Sequence, residues 1–77
     1  MNDIETIEVS GTIRLGQFLK LAGLAESGAQ ARDVIAEGDV EVDGSIETRR
    51  GRQLHGGEVV TVHSESEELR VRVAVAE

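Results

Sequence analysis

Gly38 divides the sequence into two stretches with different hydrophobic periods, and that change constrains the fold more than any single motif. Ahead of it, apolar side chains recur every three or four residues, the spacing of amphipathic helices. Beyond it they alternate, the spacing of half-buried strands. A chain of 77 residues has room for one small domain, so residues 1–77 are expected to share a single core. The pattern predicts an α+β fold: two short packed helices against a small, mainly antiparallel sheet.

A short strand pattern at 4–9 (Ile4, Ile7, Val9) comes first and is interrupted by Gly11. Thr12 is the expected N-cap of a first helix running to Ala22. On a helical wheel Leu15, Phe18, Leu19, Leu21 and Ala22 form its apolar stripe, with Gly16, Gln17 and Lys20 opposite and Arg14 on the border. Gly23 followed by Leu24 reads as a Schellman ending. Ser27-Gly28-Ala29-Gln30 has the Ser-x-x-Gln form of a capping box, which predicts a second helix over 28–37, with Ala31, Val34 and Ile35 inward. Past Gly38, Val40-Glu41-Val42 leads into Asp43-Gly44, a dipeptide suited to a two-residue hairpin turn because both positions tolerate positive φ. Ile46 and Glu47 begin a return strand, 48–52 is polar and irregular, and Leu54 re-enters the core. Residues 59–62 and 69–75 read as a final hairpin, with Leu69, Val71, Val73 and Val75 on one face.

Little of this supports catalysis. The sequence has no nucleophile elbow, no phosphate-cradling Gly-rich loop and no HExxH pair. His55 and His63 have no ligand partners close in sequence, and with no cysteine there is neither a thiol nucleophile nor a Cys-based zinc site. No stretch approaches the roughly 20 apolar residues that span a bilayer, and Met1-Asn2-Asp3 does not open a signal segment, so a cytoplasmic home is expected.

The net charge is −7, which as a sum argues against nucleic acid, because Lys and Arg must neutralise phosphate. Its distribution changes that reading. Residues 1–12 carry Asp3, Glu5 and Glu8 and no base; residues 55–77 carry five acids against Arg70 and Arg72. The stretch 13–54 is nearly neutral and holds Arg14, Lys20, Arg32, Arg49, Arg50 and Arg52. Arg49, Arg50 and Arg52 surround Gly51 in a segment too polar for the core. They suit bidentate contact with phosphate, or equally pairing with Glu41, Asp43 and Glu47. The start of helix 2 is either an anion site or an ordinary cap.

The order helix, corner, helix, glycine, hairpin resembles a known family. The residues that carry it are Arg14-Leu15-Gly16-Gln17-Phe18-Leu19, Gly23-Leu24-Ala25, Ser27-Gly28-Ala29-Gln30-Ala31-Arg32, Ile35, Gly38, Val40-Glu41-Val42-Asp43-Gly44, Arg49-Arg50-Gly51 and Gly57-Glu58-Val59. Over about 13–62 they are similar to the S-four RNA-binding domain, or αL motif, and most of all to its small stand-alone bacterial members of the YbcJ type. The resemblance implies a non-enzymatic module without cofactor or metal, acting as a monomer on structured ribosomal or transfer RNA, with the ribosome or a ribosome-associated protein nearby. Its implied RNA face is Arg14, Gln17 and Lys20 on helix 1; Ser27, Gln30 and Arg32 at the start of helix 2; Asp43 and Gly44 in the turn; and Arg49, Arg50 and Arg52. Lacking Tyr and Trp, with Phe18 on the buried stripe, the chain has no platform for stacking bases, so backbone and shape are the expected targets. The alternative is a protein-interaction module on the same fold that has lost much of its RNA affinity.

Overall fold

A computed structural model describes residues 4–76; Met1, Asn2, Asp3 and Glu77, which enter the sequence reading as termini and charges, lie outside the described residues. The chain order is β1 (Glu5–Ser10), β2 (Ile13–Arg14), α1 (Leu15–Leu21), α2 (Gly28–Ala36), β3 (Val40–Val42), β4 (Ser45–Ile46), β5 (Gln53–Leu54), β6 (Val59–His63) and β7 (Glu68–Ala76). The main sheet has the order β1-β7-β6-β3-β4, and β2 and β5 form a second, two-stranded ladder. Three neighbouring pairs of the main sheet are antiparallel. The fourth, β1 on β7, is parallel, so the sheet is mixed while remaining mainly antiparallel as expected.

Both helix endings follow from local sequence. Gly23, at φ +76°, lets the Leu24 N–H turn back to the Leu19 carbonyl at 2.8 Å and its own N–H reach Lys20 at 3.2 Å, the paired bonds of a Schellman motif. Gly38 repeats the device for α2, with Asp39 N–H on the Val34 carbonyl at 3.1 Å. Ser27 caps α2, its Oγ accepting from Gln30 N at 3.0 Å, while the Gln30 side chain accepts from Glu26 N rather than closing the box on Ser27 itself. Asp43 and Gly44 both take positive φ, as a two-residue hairpin requires.

The start of α1 departs from expectation. Thr12 is not its cap: Ile13 and Arg14 are extended and pair with Leu54 and Gln53, and the helix begins at Leu15. Its first N–H groups are satisfied across space, Leu15 N donating to the Arg52 carbonyl at 2.8 Å and Gly16 N to the Arg50 carbonyl at 3.0 Å. A distant loop does what a serine or threonine does elsewhere.

Leu15, Phe18 and Leu19 of α1, Ala31 and Ile35 of α2 and valines 9, 40, 42, 60, 62, 71 and 73 form the core with Leu54. Phe18 is its largest fully buried side chain. Leu21 is exposed, not part of the buried stripe, because it lies at the stripe's margin and helix 1 ends there. Leu69 is also partly exposed, beside the turn of the β6–β7 hairpin.

Candidate nucleic-acid interface

Helix 1 presents its polar side as a ladder three residues apart, which places Arg14, Gln17 and Lys20 along one face. Gln17 Oε1 accepts from the Arg14 backbone N–H at 3.2 Å and so ties the ladder to the helix start. Gly28 and Arg32 stand one turn apart on α2, and the loop joining β4 to β5 contributes Arg50 and Gly51. Together with Gly16 these residues line an open cleft of about 300 Å³. Four of its eight lining residues are basic (Arg14, Lys20, Arg32, Arg50) and none is acidic. Among the described residues, only Arg32 of these four has an ion-pair contact, to the exposed Asp33 at 3.5 Å.

Gly16 lines the cleft where α1 meets the Arg50 loop. A Cβ there would stand 3.5 Å from both the Arg50 Cβ and carbonyl oxygen, directly in the wall where helix and loop meet.

The other predicted basic residues have a different environment. Glu47 is buried, and its carboxylate accepts from Arg49 N at 3.1 Å, Arg49 Nε at 3.0 Å, Arg49 Nη2 at 3.2 Å and Arg52 Nη1 at 3.0 Å. The hydrogen bond from the Arg49 side chain, against the cost of burial and with help from Arg52, holds this carboxyl at about 2. The same contact raises the Arg49 guanidinium above its ordinary value. Of the two roles open to these arginines, Arg49 and Arg52 are therefore ion-paired, and Arg50 alone of the three lines the cleft.

The remaining predicted residues do not line it. Ser27 and Gln30 are engaged in capping. Asp43 holds the hairpin against β6, its Oδ1 accepting from Val59 N at 2.9 Å and its N–H donating to the Val59 carbonyl at 2.9 Å, and Gly44 completes that turn. Glu47 as organiser of the loop was not singled out by sequence, where it was one of three candidate partners; the signal is an acidic residue two and five positions ahead of two arginines.

In the turn that leads into β6, Glu58 accepts from the backbone N–H groups of His55 and Gly56 at 2.8 and 2.7 Å. Partial burial raises its carboxyl, but those backbone donors outweigh it and the net shift is downward. Among the described residues no group of three His, Cys, Asp or Glu side chains is arranged to hold a metal ion.

The S4 domain family model matches residues 6–72, which take in both helices, the hairpin and every residue that lines the cleft. The chain belongs to the S4 domain family. It is similar to YbcJ of Escherichia coli, 49% identical over 49 residues that cover 64% of this chain and 70% of YbcJ. The solution structure of YbcJ, described as revealing an αL motif involved in RNA binding, superposes with a TM-score of 0.61 at 36% identity, covering 94% of this chain and 91% of that one. The Bacillus subtilis protein named "Probable ribosome maturation protein RlbA" is 46% identical over 50 residues, 65% of this chain and 70% of that protein. Heat Shock Protein 15 of Vibrio cholerae shares the fold at 18% identity, with a TM-score of 0.74; the match covers 86% of this chain and 66% of that one, just under two thirds.

Proposed function

We propose that this chain is a non-enzymatic RNA-binding module that recognises the backbone and shape of structured RNA through the cleft between α1, α2 and the Arg50 loop. The observation that carries the reading is the convergence of Arg14, Lys20, Arg32 and Arg50, half the chain's basic residues, on one concave surface with no carboxylate in its lining. Guanidinium and ammonium groups held on rigid helices position phosphate oxygens, and Gln17 adds a neutral donor and acceptor. With no aromatic side chain in its lining, and Phe18 fully buried, the cleft reads form, not splayed bases. The S4 family and the likeness to YbcJ and RlbA support RNA as the ligand, and RlbA's name favours ribosomal RNA and the ribosome as the setting. Neither cofactor nor metal enters this reading, and the chain is expected to work as a cytoplasmic monomer.

The test is a titration against structured and single-stranded RNA at two salt concentrations, with chemical-shift mapping. Four neutralised phosphates predict that log K falls with log salt at a slope of roughly −3 to −4. Shifts are expected at Arg14, Gln17, Lys20, Arg32 and Arg50. If Arg32→Glu with Arg50→Glu leaves affinity unchanged at low salt, the cleft is not the RNA site.

A further inference from the structure

The glycines of this chain fall into two groups by backbone conformation. Six of the nine take positive φ, a region in which glycine is the ordinary residue. The other three, Gly16, Gly28 and Gly51, do not, and all three line the basic cleft. Packing does not demand glycine at these positions either: a Cβ at Gly28 or Gly51 would meet nothing within 4 Å, and one at Gly16 would make ordinary contacts at 3.5 Å. Neither turn geometry nor crowding within the fold accounts for the three bare positions. What they share is a surface between four cationic side chains on which a ligand can come close to the main chain.

We propose that the cleft seats a 5′-triphosphate group, as carried by the 5′ end of a primary transcript; this rests on the reading of the cleft as the RNA site and names the part of the RNA that enters it. Charge selects among phosphates. Arg14, Lys20, Arg32 and Arg50 bring four cations to about 300 Å³, with no carboxylate in the lining. An internal phosphodiester brings a single negative charge and is separated from the next by a sugar. A terminal phosphate carries about −1.5 to −2 at neutral pH, and each phosphoryl group behind it adds another charge with no sugar between them. A triphosphate therefore concentrates in one small volume the charge that four cations neutralise, and the three glycines leave room for it between their side chains. The lining has neither an aromatic ring to stack a base nor a carboxylate to hold ribose hydroxyls, so the phosphoryl groups are what it recognises. The same group is carried by free nucleoside triphosphates, and the experiment separates the two sources.

The probe is one structured RNA prepared with a 5′-triphosphate and with a 5′-hydroxyl, titrated into the full chain with chemical-shift mapping, beside ATP and a 5′-hydroxyl RNA lengthened to the same total charge. The triphosphate RNA is expected to bind about tenfold or more tightly than either hydroxyl RNA, with shifts at the amides of Gly16, Gly28 and Gly51. Gly28→Ala and Gly51→Ala each place a methyl group in open space, so they are expected to keep or raise Tm while lowering that preference several-fold. ATP bound as tightly as the triphosphate RNA supports the triphosphate seat and makes free nucleotide its source. Equal affinity for the triphosphate RNA and the charge-matched hydroxyl RNA, or a preference unchanged in both glycine variants, overturns the proposal and leaves the RNA-binding reading standing. Failure of every RNA to bind overturns both.

Discussion

Replacing Glu47 by glutamine removes one charge from a side chain that organises the whole β4–β5 loop. The carboxylate accepts four hydrogen bonds from Arg49 and Arg52 with 9% of the side chain exposed, and glutamine keeps one acceptor oxygen while turning an NH₂ group toward two guanidinium groups. The folded carboxyl sits at about 2 against an ordinary 4.5. Taken in full, such a shift corresponds to ~3 kcal/mol. Arg49 is 76% exposed and Arg52 34%, so solvent screens both partners and ~1–2 kcal/mol is the expected cost. For a chain of this size that lowers Tm by roughly 5–15 °C. Because the folded pKa is depressed, the stabilisation is complete above about 4.5 and is lost as pH falls through about 2. The difference between wild type and Glu47→Gln in urea unfolding should therefore be full at neutral pH and shrink steadily across that window. The Arg50 and Arg52 carbonyls that satisfy the first N–H groups of α1 belong to the same loop, so RNA affinity should fall with stability. A difference that stays constant from neutral pH to pH 2, or that is absent at neutral pH, refutes the assignment.

Three further outcomes are expected. Arg50→Ala should weaken RNA affinity several-fold in a filter or fluorescence titration, reduce the salt slope by about one and leave Tm unchanged, whereas Arg49→Ala, whose guanidinium faces Glu47 and makes two side-chain bonds to it, should lower Tm and weaken RNA binding only through that loss of loop stability. Gly16→Ala should raise stability by roughly 0.5–1 kcal/mol through helix propensity, since its Cβ meets Arg50 at ordinary contact distance, and should weaken RNA binding by filling the cleft wall; a lower Tm contradicts this. Asp43→Ala places alanine at φ +53° and loses the bond to Val59 N, so it should cost about 1–3 kcal/mol in urea unfolding, with Asp43→Asn closer to wild type.

Much of the fold was legible because its signals act over short stretches of chain. Gly23 and Gly38 each end a helix through bonds to carbonyls five residues or fewer away, and Asp43-Gly44 turns a hairpin by its own φ angles. The buried halves of both helices follow from their wheels, except Leu21 at the margin. Thr12 misled because a side-chain cap is the usual solution for the first N–H groups, and here the carbonyls of Arg50 and Arg52, more than thirty positions on, serve instead. For the same reason the family resemblance predicted an RNA face that mixes two populations. Arg14, Gln17, Lys20, Arg32 and Arg50 converge on the cleft; Ser27, Gln30, Asp43, Arg49 and Arg52 are engaged in holding the structure.

By itself the sequence determined the two periods, the turns and caps between them, and a nearly neutral middle carrying six bases between acidic ends. Those features depend on residues within a turn or two of one another. Tertiary structure alone decided that β1 closes the sheet in parallel beside β7, that Glu47 is buried and takes Arg49 and Arg52, and that Arg50 joins the helix residues at the cleft. Each of these is a choice among partners similar in sequence distance and charge. Burial and backbone pairing make that choice, and both exist only once the chain has closed on itself.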